Sequence, residues 1–170
     1  MSEHDSASGE GTTDPVADAF PTSGRLAGID FGTVRIGVAV TDAGRRLASP
    51  LENYTRRSAK LDERYFRELA DGERIVGFVV GLPVHTSGDE SQKSLEARHF
   101  GSWLSRITSR PVTYFDERYT SVEAERYLLD VKLTKKKRKA RLDKLAAQIM
   151  LSAYLESTRR SEQPEALDDT

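Results

Sequence analysis

The chain contains no cysteine, and only three histidines and two methionines, among its 170 residues. Disulfide staples, thiolate metal sites and cysteine nucleophiles are thereby excluded, and a Cys/His zinc site has almost nothing to draw on. Long apolar runs are also missing. Nothing approaches the roughly 18 consecutive apolar residues of a membrane helix. The first 23 residues lack the basic start and apolar stretch of a secretory signal. These absences predict a soluble cytoplasmic protein with no membrane partner, and the length suits one domain.

Positive charge is missing from both ends. Residues 1–23 hold Glu3, Asp5, Glu10, Asp14 and Asp18 without one Lys or Arg, and residues 161–170 hold Glu162, Glu165, Asp168 and Asp169, again without a base. Both stretches have little to bury and are expected to be disordered acidic tails, leaving one ordered domain over 24–160. The net charge of −1 hides a basic body. With nine of the 27 acids in the tails, 26 basic residues face 18 acidic ones, a charge of +8. Such a body suits a polyanionic partner.

Between the tails, alternating and helical periods succeed one another. Residues 26–31 and 35–41 read as strands joined by a Gly32-Thr33-Val34 hairpin, and 46–54 as a third strand. Leu61, Tyr65 and Leu69 mark one helical face, ended by Gly72. Residues 75–82 are apolar on both faces, as in a strand covered from both sides, and Pro83 ends them. Phe100, Trp103, Leu104 and Ile107 mark a further helix, with His99 read as structural; residues 112–115 form a short strand. Thr120 and Glu123 make a capping-box pattern opening a helix over 121–129. A last helix over 141–158 buries Leu142, Leu145, Ala146, Ile149, Met150 and Ala153. The order β-β-β-α-β-α-β-α-α predicts an α/β domain. Its mixed five-stranded sheet has three antiparallel strands then two parallel, with helices on both faces.

Carboxylates stand where the pattern expects apolar residues. Asp30 lies within the first strand, on the face of Gly28 and opposite Ile29 and Phe31. A lone buried carboxylate costs several kcal/mol unless it is paired, protonated or metal-bound. Asp116-Glu117 ends a strand, where ligands gather in α/β sheets. Asp143 crowns the Ala146, Ala147 and Met150 face of the last helix. Each acid also has a plain structural reading: Asp30 as an acceptor in a tight loop, Asp116 as a partner of Arg118, Asp143 as a favourable charge near a helix N-terminus. Together they suit hard divalent ions that activate water and stabilise a leaving oxygen. The oxygen-only donor set favours Mg²⁺ or Mn²⁺ over zinc.

Basic residues crowd the same region. Lys132, Lys135, Lys136, Lys137, Arg138, Lys139, Arg141 and Lys144 place eight positive charges in thirteen residues. They are expected to form a mobile loop that grips phosphates, against the plainer reading of a solvated charge run. Arg35 and Arg118 each adjoin a motif acid and either pair with it or hold a phosphate. The loop 84–88 follows a strand end, and His85 within it reads as a surface residue.

Four stretches together carry a resemblance. Residues 28–39 (GIDFGTVRIGVA), 80–83 (VGLP) with Gly88, 116–121 (DERYTS) and 143–147 (DKLAA) closely resemble, in order, the motifs of the YqgF (RuvX) family, over about residues 26–155. The resemblance implies an RNase H-like fold with an acidic metal site. Asp30, Glu117 and Asp143 match the family's acids, with Asp116 as neighbour. It implies two activities: processing the 5′ end of pre-16S ribosomal RNA, and cutting Holliday junctions by kinship with RuvC-type resolvases. Tyr119 departs from the family's usual leucine. The strand ending at Pro83 lacks the acid that RuvC-type enzymes carry there, which favours ribosomal RNA over branched DNA. A non-catalytic rRNA-binding assembly factor is the competing class, and the oligomeric state, monomer or homodimer, stays open. An actin-like ATPase pairs two such domains, and this chain has room for one. A dinucleotide fold lacks its G-x-G-x-x-G spacing.

Overall fold

Alternation and capping together set the architecture. A computed structural model of the chain describes residues 19–83, 91–120 and 134–163. Five strands, β1 (Arg25–Asp30), β2 (Arg35–Thr41), β3 (Ala48–Thr55), β4 (Ile75–Leu82) and β5 (Val112–Asp116), form one sheet in the order β3-β2-β1-β4-β5. The β3-β2-β1 pairings are antiparallel and the β1-β4 and β4-β5 pairings parallel, as the meander-then-crossover order predicts.

Among the described residues three helices cover it. Helix α1 (Ala59–Gly72) is capped by Ser58, whose side chain accepts from the Leu61 N–H, and α2 (Gln92–Thr108) by Ser91, which accepts from the Ser94 N–H. Helix α3 (Lys135–Glu162) is capped by Thr134, which accepts from the Lys137 N–H. Each cap satisfies an amide that the helix itself leaves unpaired. No helix among the described residues is long and apolar enough to cross a membrane.

The sheet separates two cores. Ala27, Ile29, Val38, Tyr54, Phe78 and Val80 pack with Phe66, Phe100 and Leu104 of α1 and α2. On the other face Leu26, Ala39 and Val79 meet Ala147, Met150, Leu151 and Leu155 of α3. Consecutive β1 and β4 residues thus enter opposite cores, which explains why β4 is apolar throughout.

Five sequence expectations shift. The lysine-rich segment, expected as a loop up to residue 141, is helical from Lys135. Lys, Arg, Ala and Leu are strong helix formers, and Thr134 supplies the start. On α1 the buried stripe is Asp62, Phe66, Leu69 and Ala70, one position away from Leu61, which is exposed. His99, read as structural, lies exposed on α2. Phe20, assigned by composition to the acidic tail, packs edge-on against Tyr154 at 6.4 Å, and the Arg45 guanidinium donates to the Pro21, Ser23 and Gly24 carbonyls. Helix α3 also runs two residues into the segment assigned to the C-terminal tail, through Ser161 and Glu162. Residues 1–18 and 164–170, the 84–88 loop with His85, the 121–129 helix, Lys132 and the side chains of Tyr119 and Lys139 lie outside the described residues.

Candidate active site

Asp30 closes β1 at the edge where the parallel strands end. Across the sheet it pairs with Gly37 of β2, which in turn pairs with Asn53 of β3. On its other side, one step beyond the Ile29–Val80 pair, lies Gly81 of β4. Asp30 therefore stands between two residues without side chains, all on the face covered by α3.

The two gaps are used differently. Above Gly81 the chain leaving β5 turns through a 3-10 turn (Glu117–Thr120) and lays Glu117 over it; a β-carbon on Gly81 would sit 2.6 Å from Glu117 Oε1. Above Gly37 the helix comes close: a β-carbon there would lie 3.4 Å from both Ala147 Cβ and Asp30 Cβ. Ala147 is one turn beyond Asp143, so this approach sets where Asp143 stands.

Two cavities meet at Asp30. One, of about 330 Å³, is lined by Asp30, Gly81, Glu117 and, from α2, Lys93 and Glu96. The other, of about 470 Å³, is lined by Asp30, Arg35, Gly37, Asn53 and Asp143. The tip of the β1–β2 hairpin, Phe31 to Thr33, borders both. Phe31 anchors that tip, tilted on Phe100 at 4.9 Å with the Arg56 guanidinium 5.4 Å above its ring.

Charge crowding follows from this placement. Burial raises the Asp30 carboxyl above its ordinary range; the hydrogen bond from Glu117 works against the rise and the Asp143 charge adds to it. Glu117 is pushed up to about 7, first by burial, then by the Asp30 charge and their hydrogen bond, and last by Asp116. When Glu117 holds a proton it can donate it to Asp30, so that one proton relieves two half-buried acids. A cation can do the same.

Asp116 is differently engaged. Arg118 donates to it from its backbone N–H at 2.9 Å and its Nε at 2.8 Å, and that pairing holds the carboxylate below its ordinary pKa. The plain reading of Asp116 thus describes its contacts, and Arg118 is occupied with it. Arg35 instead faces a cavity. Among the described lysines of α3, none lines either cavity; Lys135, Lys136, Lys137, Arg138, Arg141 and Lys144 are exposed along the first turns of that helix. Lys93, Glu96 and Asn53 had drawn no attention in the sequence. The available signal was positional: a helix following a parallel strand opens at the edge where that strand ends.

The donor set fits a hard divalent ion. The cavities offer carboxylate, carbonyl and amide oxygen, with no sulfur or imidazole among their described lining residues. Among the described residues no three acidic or histidine side chains already form a metal-holding group. The fit therefore rests on the Asp30–Glu117 pair, with Asp143 acting on Asp30 from the neighbouring cavity.

Comparison with known proteins places the chain in a family. The family model described as "RuvX: Holliday junction resolvase" matches residues 24–157. A Rhodopirellula baltica protein named "Putative pre-16S rRNA nuclease" is 49% identical over 148 residues, spanning 87% of this chain and 86% of its own. A Rhodobacter capsulatus protein of the same name is 39% identical over 143 residues, 84% of this chain and 90% of its own. Among solved structures, T. thermophilus RuvC in complex with a Holliday junction substrate superposes with a TM-score of 0.55 at 15% identity. That match covers 81% of this chain and 96% of RuvC, and it shows the RNase H-like fold. On the extent of these matches, the chain belongs to the RuvX (YqgF) family of nucleases.

Proposed function

We propose that the protein is a metal-dependent endonuclease that hydrolyses phosphodiester bonds at the 5′ end of pre-16S rRNA. The observation that carries this reading is the half-buried Asp30–Glu117 pair with Asp143 beside it, a crowding of negative charge that costs stability and is rational where a cation and a phosphate meet. Asp30, Glu117 and Asp143 would hold Mg²⁺ or Mn²⁺. A divalent ion there supplies Lewis acidity toward the scissile phosphate and its attacking water. The chain's own residues do the rest. Arg35 offers its guanidinium to a phosphate in the Asp143 cavity, and the exposed cations of α3 neutralise the backbone further along. Arg118 holds Asp116 and fixes the turn that delivers Glu117.

The ribosomal substrate is favoured by the names of relatives up to 49% identical and by the end of β4, where Leu82 and Pro83 stand. The family description and the fold shared with RuvC favour a second reading, resolution of four-way DNA junctions. Cleavage of an RNA spanning the 16S precursor 5′ end, measured beside a four-way DNA junction with Mg²⁺ and with EDTA, separates the two. The expected result is Mg²⁺-dependent RNA cutting that Asp30→Asn abolishes. Preferential junction cutting would transfer the assignment to DNA, and RNA binding without cutting in any metal would make the protein an assembly factor.

A further inference from the structure

Each of the two cavities at Asp30 carries a single cation among its described lining residues: Arg35 in the larger and Lys93 in the smaller. The smaller cavity has the greater need of its cation. It exposes three carboxylates, Asp30, Glu96 and Glu117, to whatever enters. None of the described α3 lysines lines it, so among the described residues its counter-charge comes from Lys93. A nucleic-acid strand crossing Asp30 must nevertheless pass a phosphate on each side of the bond it presents.

Lys93 is placed for that role. It sits in the first turn of α2, whose start is tied to the end of β4 by the Ser91 hydroxyl donating to the Pro83 carbonyl at 3.0 Å. This bond fixes the root of the side chain at the cavity wall, while Lys93 itself is exposed and able to follow a phosphate. Glu96, one turn along the same helix, also borders the cavity. An entering phosphate is thus attracted at one point of the wall and repelled elsewhere, which gives the contact a defined position.

We propose that Lys93 contacts a phosphate of the bound strand on the side of Asp30 opposite Arg35, so that the strand runs from the Arg35 cavity across Asp30 into the Lys93 cavity. The proposal rests on the nuclease reading above. It makes Lys93 a substrate-binding residue that acts locally, in contrast to the diffuse attraction of α3.

Equilibrium binding of fluorescent RNA, followed by anisotropy against salt concentration, tests it. Ca²⁺ replaces Mg²⁺, and gels verify that the strand stays intact. The full chain is compared with Lys93→Gln, Lys93→Arg and, as control, Arg106→Gln, which lies about 20 Å away at the far end of α2. Losing one phosphate contact to a single strand should flatten the slope of log K against log salt by about 0.7 and weaken binding about tenfold. Lys93→Arg and Arg106→Gln should stay near the unaltered protein. A slope unchanged by Lys93→Gln overturns the proposal, because a lysine that merely offsets nearby carboxylates releases no counterion from the strand. Binding of junction DNA in place of RNA overturns the RNA reading instead, and Lys93→Gln is then judged on the junction by the same slope. If the unaltered chain binds neither, both fall.

Discussion

The side chain of Glu117 lies flat over Gly81, with Oε1 2.6 Å from where a β-carbon would be. Gly81→Ala should therefore push the Glu117 carboxyl away from Asp30. The displaced atom is the end of a flexible side chain, so the fold should survive with a loss of about 1–3 kcal/mol. Cleavage should fall by about 10–100-fold, in the range seen when a positioned charge is misplaced. Melting curves beside turnover rates check this. A rate within twofold of the unaltered protein would mean that Glu117 need not stand there.

Crowded acids that serve a reaction should be a burden without it. Asp30→Asn removes a charge that Glu117 feels and that is itself crowded by Asp143, and in metal-free buffer at pH 8 it should raise the melting temperature. Each 1 kcal/mol of relieved repulsion corresponds to about 2–4 °C for a chain of this size. The same variant should lose cleavage. A melting temperature that falls would show that Asp30 is bonded to stabilise the fold, as its plainest reading has it.

Asp30 was legible in the sequence because strand alternation alone puts it on the Gly28 face, and β1 obeys alternation. The choice between Asp116 and Glu117 was not. It is made by the 3-10 turn after β5, which gives Asp116 to Arg118 and carries Glu117 to Gly81, and no periodicity encodes a turn of that kind. Sheet order followed from the succession of elements, and on α1 Leu69 is buried and Tyr65 packs on the core as expected, whereas Leu61 is exposed. A buried aspartate, Asp62, holds a position that a hydrophobic pattern assigns to leucine. Lys93 and Glu96 were harder to see for a different reason: no motif marks them, and only the rule that a helix after a parallel strand opens at that strand's end brings them near Asp30. The start of α3 was hidden by charge, since a lysine run resembles a loop until its helix propensity is weighed.

That start has an energetic side. Lys135, Lys136 and Lys137 occupy the positive end of a helix with no acid in its first turn, an unfavourable placement of about 0.3–1 kcal/mol per charge. Replacing all three with glutamine should raise thermal stability slightly and at the same time weaken RNA binding with a flatter salt dependence. Opposite signs in the two measurements are the expected outcome. A parallel loss of both would show that the lysines support the fold instead.

The buried Asp62 predicts acid sensitivity. It is 2% exposed and accepts from the Tyr54 hydroxyl at 2.7 Å, the Arg57 N–H at 2.9 Å and Arg56 Nε at 3.3 Å. Burial pushes its pKa up, but these bonds and the Arg56 charge outweigh it and hold the carboxyl below its ordinary 3.8. A folded pKa below the unfolded one contributes stability that is full above about pH 4 and lost as pH falls through the folded value. Asp62→Asn should be less stable at pH 7 by about 2 kcal/mol and should show a smaller further loss between pH 5 and pH 2. Denaturant titrations at those pH values measure both.

Phe20 and Arg45 also set a limit for anyone shortening the chain. The ring of Phe20 fills the space above Gly77, where a β-carbon would come within 2.9 Å of it, and Arg45 clasps three carbonyls just after it. Trimming the acidic leader up to residue 18 spares this clasp. Cutting at the strand boundary, as the composition would invite, strips a plug from above Gly77 on the α3 side of the sheet and leaves a guanidinium with its acceptors gone.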